Sequence, residues 1–210
     1  ANYIMCTGNH DIRLRDFEQS KERFLNFMNG LNSDENAVDN VYFKYEVNGY
    51  TFLAIASDEM AFEEASFSSA QLQWLNIELK EATKEGKPVF VLCHQSLAES
   101  HGLPNTWGSA NSTPEDTTLP TYERKDDYDF TGSIGKQSNE VYDIISKYEN
   151  VFFLTGHLHT GFGKYTYQTI NEEKNVQSIN VPSVGIDNKD GVCNNPGTGL
   201  FVEVTDSQVI

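Results

Sequence analysis

The chain has 210 residues, of which 38% are hydrophobic and 12% aromatic, a composition that is typical of one folded domain and excludes a disordered polypeptide. Its formal net charge is −16, so its electrostatic field repels nucleic acids and anionic membranes, and we expect no nucleic-acid binding. The sequence contains no run of 18 apolar residues, and it therefore predicts no membrane span.

The beginning of the chain predicts a buried strand, a turn and a helix. Tyr3–Cys6 is apolar enough for a strand and runs directly into the polar turn Gly8–Asp11. An amphipathic helix is expected from Asp16 to about Asn29, because Asp16 is a good N-cap and a glutamine follows three residues later. Gly30 is expected to end this helix.

The next segment predicts a β-hairpin followed by a helix and a strand. Val41–Val47 and Tyr50–Ala56 are strand-like runs joined by Asn48-Gly49, the pair that two-residue hairpin turns favour. A helix is expected from Ser69 through about Glu85, and the apolar run Val89–Cys93 predicts a buried strand after it.

The segment 95–136 shows no helical or strand periodicity and is rich in small polar residues. A connection this long in a compact domain is usually functional, so we interpret it as a lid-like insertion over a substrate. His101 and Trp107 are its candidate substrate contacts, although His101 is expected to be exposed to solvent. The aromatic side chains of this segment could equally anchor it to its own domain; they are Trp107, Tyr122, Tyr128 and Phe130.

The second half of the chain predicts one helix and several strands. Ser138 is expected to cap a helix that extends to about Lys147, and Val151–Leu154 is expected to form a central buried strand. Further strand-like runs follow at 165–169, 176–181 and 199–205. This β-rich half favours an α/β fold in which two mixed β-sheets pack as a sandwich flanked by helices.

Four of the five histidines directly follow predicted strands. His10 comes after Asn9 in the first turn, His94 follows the strand that begins at Val89, and His157 and His159 follow the central strand. Sites in α/β sheets lie at the carboxyl ends of the strands, so these side chains should converge if the strands are neighbours. Neutral imidazoles suit zinc, manganese and iron, and the pattern therefore predicts a metal centre.

Gly8-Asn9-His10-Asp11, His94 after a strand, and Gly156-His157-Leu158-His159 together resemble the calcineurin-like metallophosphoesterase family. The resemblance implies a β-sandwich with two divalent ions, commonly manganese, iron or zinc. It implies that Asn9, His94 and His157 hold one ion and that His159 binds the other. His10 would lie near the leaving oxygen, either as a general acid or as a stabiliser of developing charge, and Asp11 would orient the loop without binding an ion.

This sequence departs from the family pattern, in which an Asp-x-His and a Gly-Asp-x-x-Asp motif precede the Asn-His turn. We therefore expect residues 1–210 to be a single truncated domain that lacks the N-terminal strands. No carboxylate is then expected at the centre, so the chain should hold one ion or none and be inactive or weakly active. An open sheet edge would also favour self-association.

The resemblance implies that the intact parent hydrolyses a small-molecule or nucleotide phosphate ester, and whether this is a monoester or a diester stays open. One alternative is a non-catalytic binding domain that retains the fold. Another is a different binuclear hydrolase, of the metallo-β-lactamase or amidohydrolase type, which shares only a His-x-His pair with this chain. The acidic, polar composition is compatible with a bacterial secreted or surface protein.

Overall fold

A computed structural model of the chain describes residues 3–13, 16–103, 132–159, 161–163, 165–184, 197–205 and 209. The helices are α1 (Asn9–Ile12), α2 (Phe17–Leu31), α3 (Ser69–Ala82) and α4 (Ser138–Ile145). The strands are β1 (Phe43–Val47), β2 (Tyr50–Ala54), β3 (Val89–Leu92), β4 (Val151–Thr155), β5 (Tyr167–Asn171) and β6 (Val176–Asn180). No helix within these ranges is long and apolar enough to cross a membrane.

The six strands form one mixed sheet in the order β1-β2-β3-β4-β6-β5. The four central strands run parallel, and the edge strands β1 and β5 pair antiparallel with β2 and β6. Parallel strands need crossover connections, and α3 and α4 supply two of them. The carboxyl ends of β3 and β4 therefore lie side by side at one edge of the sheet.

Each face of the sheet has its own apolar core. One face packs Leu53, Val91 and Phe153 against α3 and α4. On the other face the rings of Phe52 and Phe90 stack with centroids 4.9 Å apart, and Leu200, Val204 and Val209 pack beside them. The predicted α/β class with mixed strand pairing and flanking helices is confirmed. The described ranges contain one six-stranded sheet, however, and the second sheet of the predicted sandwich is not found among them.

Several local predictions are confirmed. Asp16 caps α2, because its carboxylate accepts hydrogen bonds from the backbone N–H of Glu18 and Gln19. The hairpin forms between β1 and β2, and both turn residues have positive φ, 52° at Asn48 and 80° at Gly49. This left-handed geometry is the reason that an Asn-Gly pair predicts the turn.

Other local predictions were wrong. Tyr3–Cys6 does not form a strand, and residues 199–205 contribute only an isolated bridge between Val204 and Val209. Gly30 does not end α2, which continues to Leu31. Ser138 is not a cap, because its hydroxyl accepts from the N–H of Ala98 at 2.6 Å and so joins α4 to the segment after β3.

The described ends of the segment 95–136 are tied together. Ser96 and Ser133 form a bridge, and the N–H of Ile134 donates to the carbonyl of Ser96 at 2.8 Å. The predicted lid, residues 95–136, falls mostly on residues 104–131. These residues, Trp107 among them, lie outside the described residues.

The expectation that His101 is exposed was wrong, because only 1% of this residue is accessible. Its Nδ1 lies 2.7 Å from the carbonyl of Tyr165, and its Nε2 lies 2.8 Å from the hydroxyl of Ser178. Nδ1 donates to the carbonyl, and burial favours the neutral imidazole by lowering its pKa, so in that form Nε2 accepts from the serine. His101 therefore anchors the start of the segment to β6 and to the approach to β5, and its ring is enclosed.

We predict that His101→Gln lowers stability by about 1–3 kcal/mol at pH 8, because it leaves buried hydrogen-bonding groups unsatisfied. Burial lowers the pKa of His101 below its usual range, although the carbonyl of Tyr165 raises it. On acidification below the ordinary pKa, about 6.5, the unfolded chain then takes up the proton first and the folded state loses stability.

The loss of stability on acidification should be smaller in the variant. The difference in free energy of unfolding between the two proteins, called the gap below, should therefore narrow from pH 8 to pH 5. Urea unfolding of both proteins at several pH values measures this gap. A gap that stays constant would show that His101 contributes nothing to the pH dependence.

Candidate metal centre

The pairing of β3 with β4 brings two of the predicted ligands together. The strands are parallel, with Leu92 opposite Leu154. The pairing continues past the strand ends, because the N–H of Gly156 donates to the carbonyl of His94 at 3.0 Å. His94 and His157 therefore leave neighbouring strands at the same edge, with ring centroids 4.9 Å apart.

The turn before α1 closes on His94 from the other side. A Cβ atom added to Gly8 would lie only 2.7 Å from Nε2 of His94, so the backbone approaches the ring as closely as a glycine allows. The carboxylate of Asp11 accepts a hydrogen bond of 2.8 Å from the N–H of Gly8 and fixes this turn. Asn9, the first residue of α1, is thereby buried beside the imidazole.

Asn9 and His157 both place a potential ligand atom close to Nε2 of His94. Nε2 of His94 lies 3.2 Å from Oδ1 of Asn9 and 3.1 Å from Nδ1 of His157. Two ligand atoms bound to one ion at about 2.0–2.1 Å are themselves about 2.9–3.4 Å apart, depending on the coordination angle. The observed separations fit a shared ion.

A carboxylate that the sequence did not predict orients the amide of Asn9. Glu63 accepts a hydrogen bond from Nδ2 of Asn9 and forms an ion pair with Arg13. Because a carboxylate can only accept, the amide must turn its nitrogen to Glu63, which directs Oδ1 towards His94. Glu63 adds a carboxylate beside the cluster, but its charge is paired with Arg13 and its contact is with the amide of Asn9, so the expectation that no carboxylate binds the ion stays a prediction.

The histidine at the middle of the cluster is held neutral. Several effects together lower the pKa of His94 to about 4: burial is the largest, the charge of Asp11 opposes it, and the charges of His159 and His10 act in the same direction as burial. A neutral imidazole keeps its lone pair at neutral pH, as metal binding requires.

The loop after β4 has an unusual backbone. His157 has a φ of 70° and His159 a φ of 54°, both in the left-handed region that residues with a Cβ rarely adopt. Such conformations cost on the order of 1–3 kcal/mol, and they concentrate at functional sites. The two conformations therefore support a functional role for this loop.

The predicted site residues divide into those at the cluster and those around it. Asn9 and His157 each contact Nε2 of His94. His10 is exposed, and both of its ring nitrogens lie 3.2 Å from the guanidinium of Arg13. His159 lies close enough to influence His94 electrostatically. The metal-binding and catalytic roles of all these residues stay predictions.

The donor set fits one ion better than two. Among the residues that the structure describes, no three or more His, Cys, Asp or Glu side chains are grouped to hold a metal. The cluster offers two imidazoles and one amide oxygen, which are neutral donors suited to zinc, manganese or iron. No second group of donors is described that would support the second predicted ion.

Sequence reasoning missed Glu63 and Arg13. Glu63 lies 54 residues from Asn9, in a segment between β2 and α3 that shows no motif. Arg13 follows the Asn-His-Asp turn by two residues, and its proximity to a predicted catalytic histidine was the one available signal. The hydrogen bond between Asn9 and Glu63 and the ion pair between Arg13 and Glu63 could not be inferred from sequence spacing. Both depend on how the segment 55–68 folds back towards α1.

No protein-family model matches this sequence, and no curated protein matches it. Among solved structures, the chain is similar to a dimetal phosphatase from Danio rerio, with 14% identity and a TM-score of 0.43. The match covers 68% of this chain and 49% of the other, so the chain spans about half the length of that protein. A match this weak assigns neither a family nor an activity.

We predict that Gly8→Ala destabilises the protein by about 1–3 kcal/mol, because the new methyl group must displace the His94 ring. Thermal unfolding should show a lower midpoint. Gly30→Ala is the matched control, since a Cβ there meets no atom within 4 Å, and it should stabilise α2 by about 0.5–1 kcal/mol. Equal stability of the Gly8→Ala variant and the wild type would contradict the close approach.

Proposed function

We propose that this chain carries the metal-binding part of a phosphoesterase, an enzyme that hydrolyses a phosphate ester with metal-activated water. The observation that supports this most is the convergence of Asn9, His94 and His157, whose donor atoms lie within 3.2 Å of His94 Nε2 at the carboxyl edge of a parallel sheet. The order of the three motifs in the sequence, which resembles that of metallophosphoesterases, supports the same reaction class.

Asn9, His94 and His157 would hold a divalent ion, with Glu63 fixing the amide of Asn9. When bound, such an ion lowers the pKa of water and neutralises charge on phosphoryl oxygens. The chain itself supplies two further effects. The buried imidazole of His157 would exclude water from one side of the centre, and the left-handed backbone at His157 sets the direction in which its side chain leaves the loop.

His10 is the proposed proton donor to the leaving oxygen. It is exposed at the rim of the centre, where a substrate can reach it, and its ring lies beside the guanidinium of Arg13. Arg13 is in turn held by Glu63 and lies 5.1 Å from the ring centre of Phe62. Because a guanidinium only donates hydrogen bonds, the His10 ring would have to turn from Arg13 to the leaving oxygen before it could act as a general acid.

A second candidate is a domain that binds one ion without catalysis. This function is favoured by the small donor set of the described residues, two imidazoles and one amide oxygen, which includes no carboxylate to bridge two ions. The two candidates differ in whether bound metal produces hydrolysis.

We predict that the purified chain binds one manganese or zinc ion and hydrolyses 4-nitrophenyl phosphate slowly, only when metal is present. Elemental analysis after desalting gives the stoichiometry, and released nitrophenol gives the rate. His157→Ala should lose both properties, because it removes one of three donors. His101→Gln is the control, since His101 is a buried histidine outside the cluster, and it should retain both.

Three results would change this proposal. Failure to bind any ion would overturn the proposal and the second candidate together. Binding without hydrolysis would favour the second candidate. Two tightly held ions per chain would show that the centre contains donors beyond Asn9, His94 and His157.

We predict that Glu63→Gln weakens metal binding by about 10- to 100-fold, the range found for residues that orient a ligand. The glutamine amide no longer fixes the orientation of Asn9, so its Oδ1 is not held towards His94. Glu64→Gln removes the same charge from the next residue, whose carboxylate faces Lys136, and should leave the affinity unchanged. Titration calorimetry measures the metal affinity of both variants. Equal losses of affinity would contradict the specific role of Glu63 and indicate a general effect of the lost negative charge.

A further inference from the structure

A cleft of about 630 Å³ lies beside the candidate centre, between the turn before α1 and helix α2. This volume is within the range of about 300–1,000 Å³ that is common for small-molecule sites. His10, the proposed proton donor, and Asp11 line this cleft. A leaving group that takes a proton from His10 would therefore lie at the cleft.

One face of α2 forms the outer wall. Ser20, Arg23, Phe24 and Phe27 all line the cleft, and their spacing of three and four residues places them on one side of the helix. Phe27 is 58% exposed, which is unusual for so large an apolar side chain. This wall therefore offers both an apolar surface and a cation.

Two buried hydroxyl groups also line the cleft. Thr7 and Ser20 are only 6% and 5% exposed, and their hydroxyls make no hydrogen bond to any described residue. Buried polar groups are normally paired, so two such hydroxyls on one cleft indicate a place where a ligand completes the hydrogen bonding.

Arg23 gives the cleft its selectivity for charge. Its guanidinium forms no ion pair with any acidic side chain of the described residues, although the chain carries 31 acidic and 15 basic residues. A guanidinium binds carboxylate and phosphate groups through two parallel hydrogen bonds. Asp11 also lines the cleft, but its carboxylate is engaged by the N–H of Gly8.

We infer that this cleft binds the leaving-group side of the substrate, and that the substrate is a phosphate ester whose leaving group carries a second anionic group on an apolar body. Arg23 binds the second anion, Phe24 and Phe27 contact the apolar body, and the hydroxyls of Thr7 and Ser20 hydrogen-bond to its polar atoms. The assignment to a leaving group rests on the proposed phosphoesterase function, whereas anion binding in the cleft does not.

Binding of 4-carboxyphenylphosphonate tests the inference, because its carbon–phosphorus bond cannot be hydrolysed as an ester. With metal removed by a chelator, calorimetry on the wild-type chain should show binding that Arg23→Gln weakens about tenfold. Arg23→Lys should be intermediate, since it keeps the charge but loses the paired hydrogen bonds. Phenylphosphonate, which lacks the carboxylate, should bind both proteins equally weakly.

Lys21→Gln is the matched control, because it removes the same charge from the same helix at a residue that does not line the cleft. It should bind the probe like the wild type. Absence of probe binding to the wild type, or equal affinity of the wild type and Arg23→Gln, would overturn the inference. If Lys21→Gln weakened probe binding as much as Arg23→Gln does, the inference would also be overturned, because the loss of affinity would then depend only on the net charge of the protein.

Ser20→Ala separates a ligand role from a structural one. Since the hydroxyl makes no described hydrogen bond, its removal should leave the unfolding temperature unchanged or higher while weakening probe binding several-fold. A lower unfolding temperature with unchanged affinity would assign Ser20 to the fold and contradict its place in the site.

The same titration distinguishes this inference from the proposed function. Added manganese should tighten binding of the probe in the wild type and in Arg23→Gln, but not in His157→Ala. If manganese does not tighten probe binding to the wild type, the proposed function is contradicted and the inference about the cleft stands. If manganese tightens binding but Arg23→Gln binds the probe as well as the wild type does, the inference about the cleft is overturned and the proposed function stands.

Discussion

The parallel pairing of β3 with β4 is the constraint on which the candidate centre depends. It aligns Leu92 with Leu154 and continues to the hydrogen bond between Gly156 and His94, so two imidazoles 63 residues apart leave the sheet side by side. A shift of one residue in this pairing would turn one of the rings to the opposite face. The apolar cores on both faces of the sheet fix the pairing and hence the centre.

Charge is arranged in layers around this centre. The inner layer is neutral, because burial keeps His94 uncharged and the Asn9 oxygen has no formal charge. The next layer contains Glu63 and Arg13, which compensate each other. The strongly acidic character of the chain is therefore carried by its surface, and a cation that approaches the centre is attracted by the protein as a whole.

Local features and the side chains at strand ends could be predicted from the sequence. The Asp16 cap and the Asn48-Gly49 turn are decided by neighbouring residues, and the topology of the sheet brings His94 and His157 together at the ends of adjacent strands. Glu63 could not be predicted, because its contact with Asn9 depends on a loop without periodicity. The burial of His101 was missed because polar loops are usually exposed, whereas here two hydrogen bonds compensate its burial.

The contact between Gly8 and His94 has a consequence for how this protein can change by mutation. With the imidazole in place, position 8 has no room for a side chain, and it would gain room only after a smaller residue replaced the histidine. The two positions, far apart in the chain, are therefore tied by shape as well as by chemistry. A replacement of His94 by a smaller residue would remove the steric constraint on position 8, so related sequences that lack this histidine should also tolerate larger residues in place of Gly8.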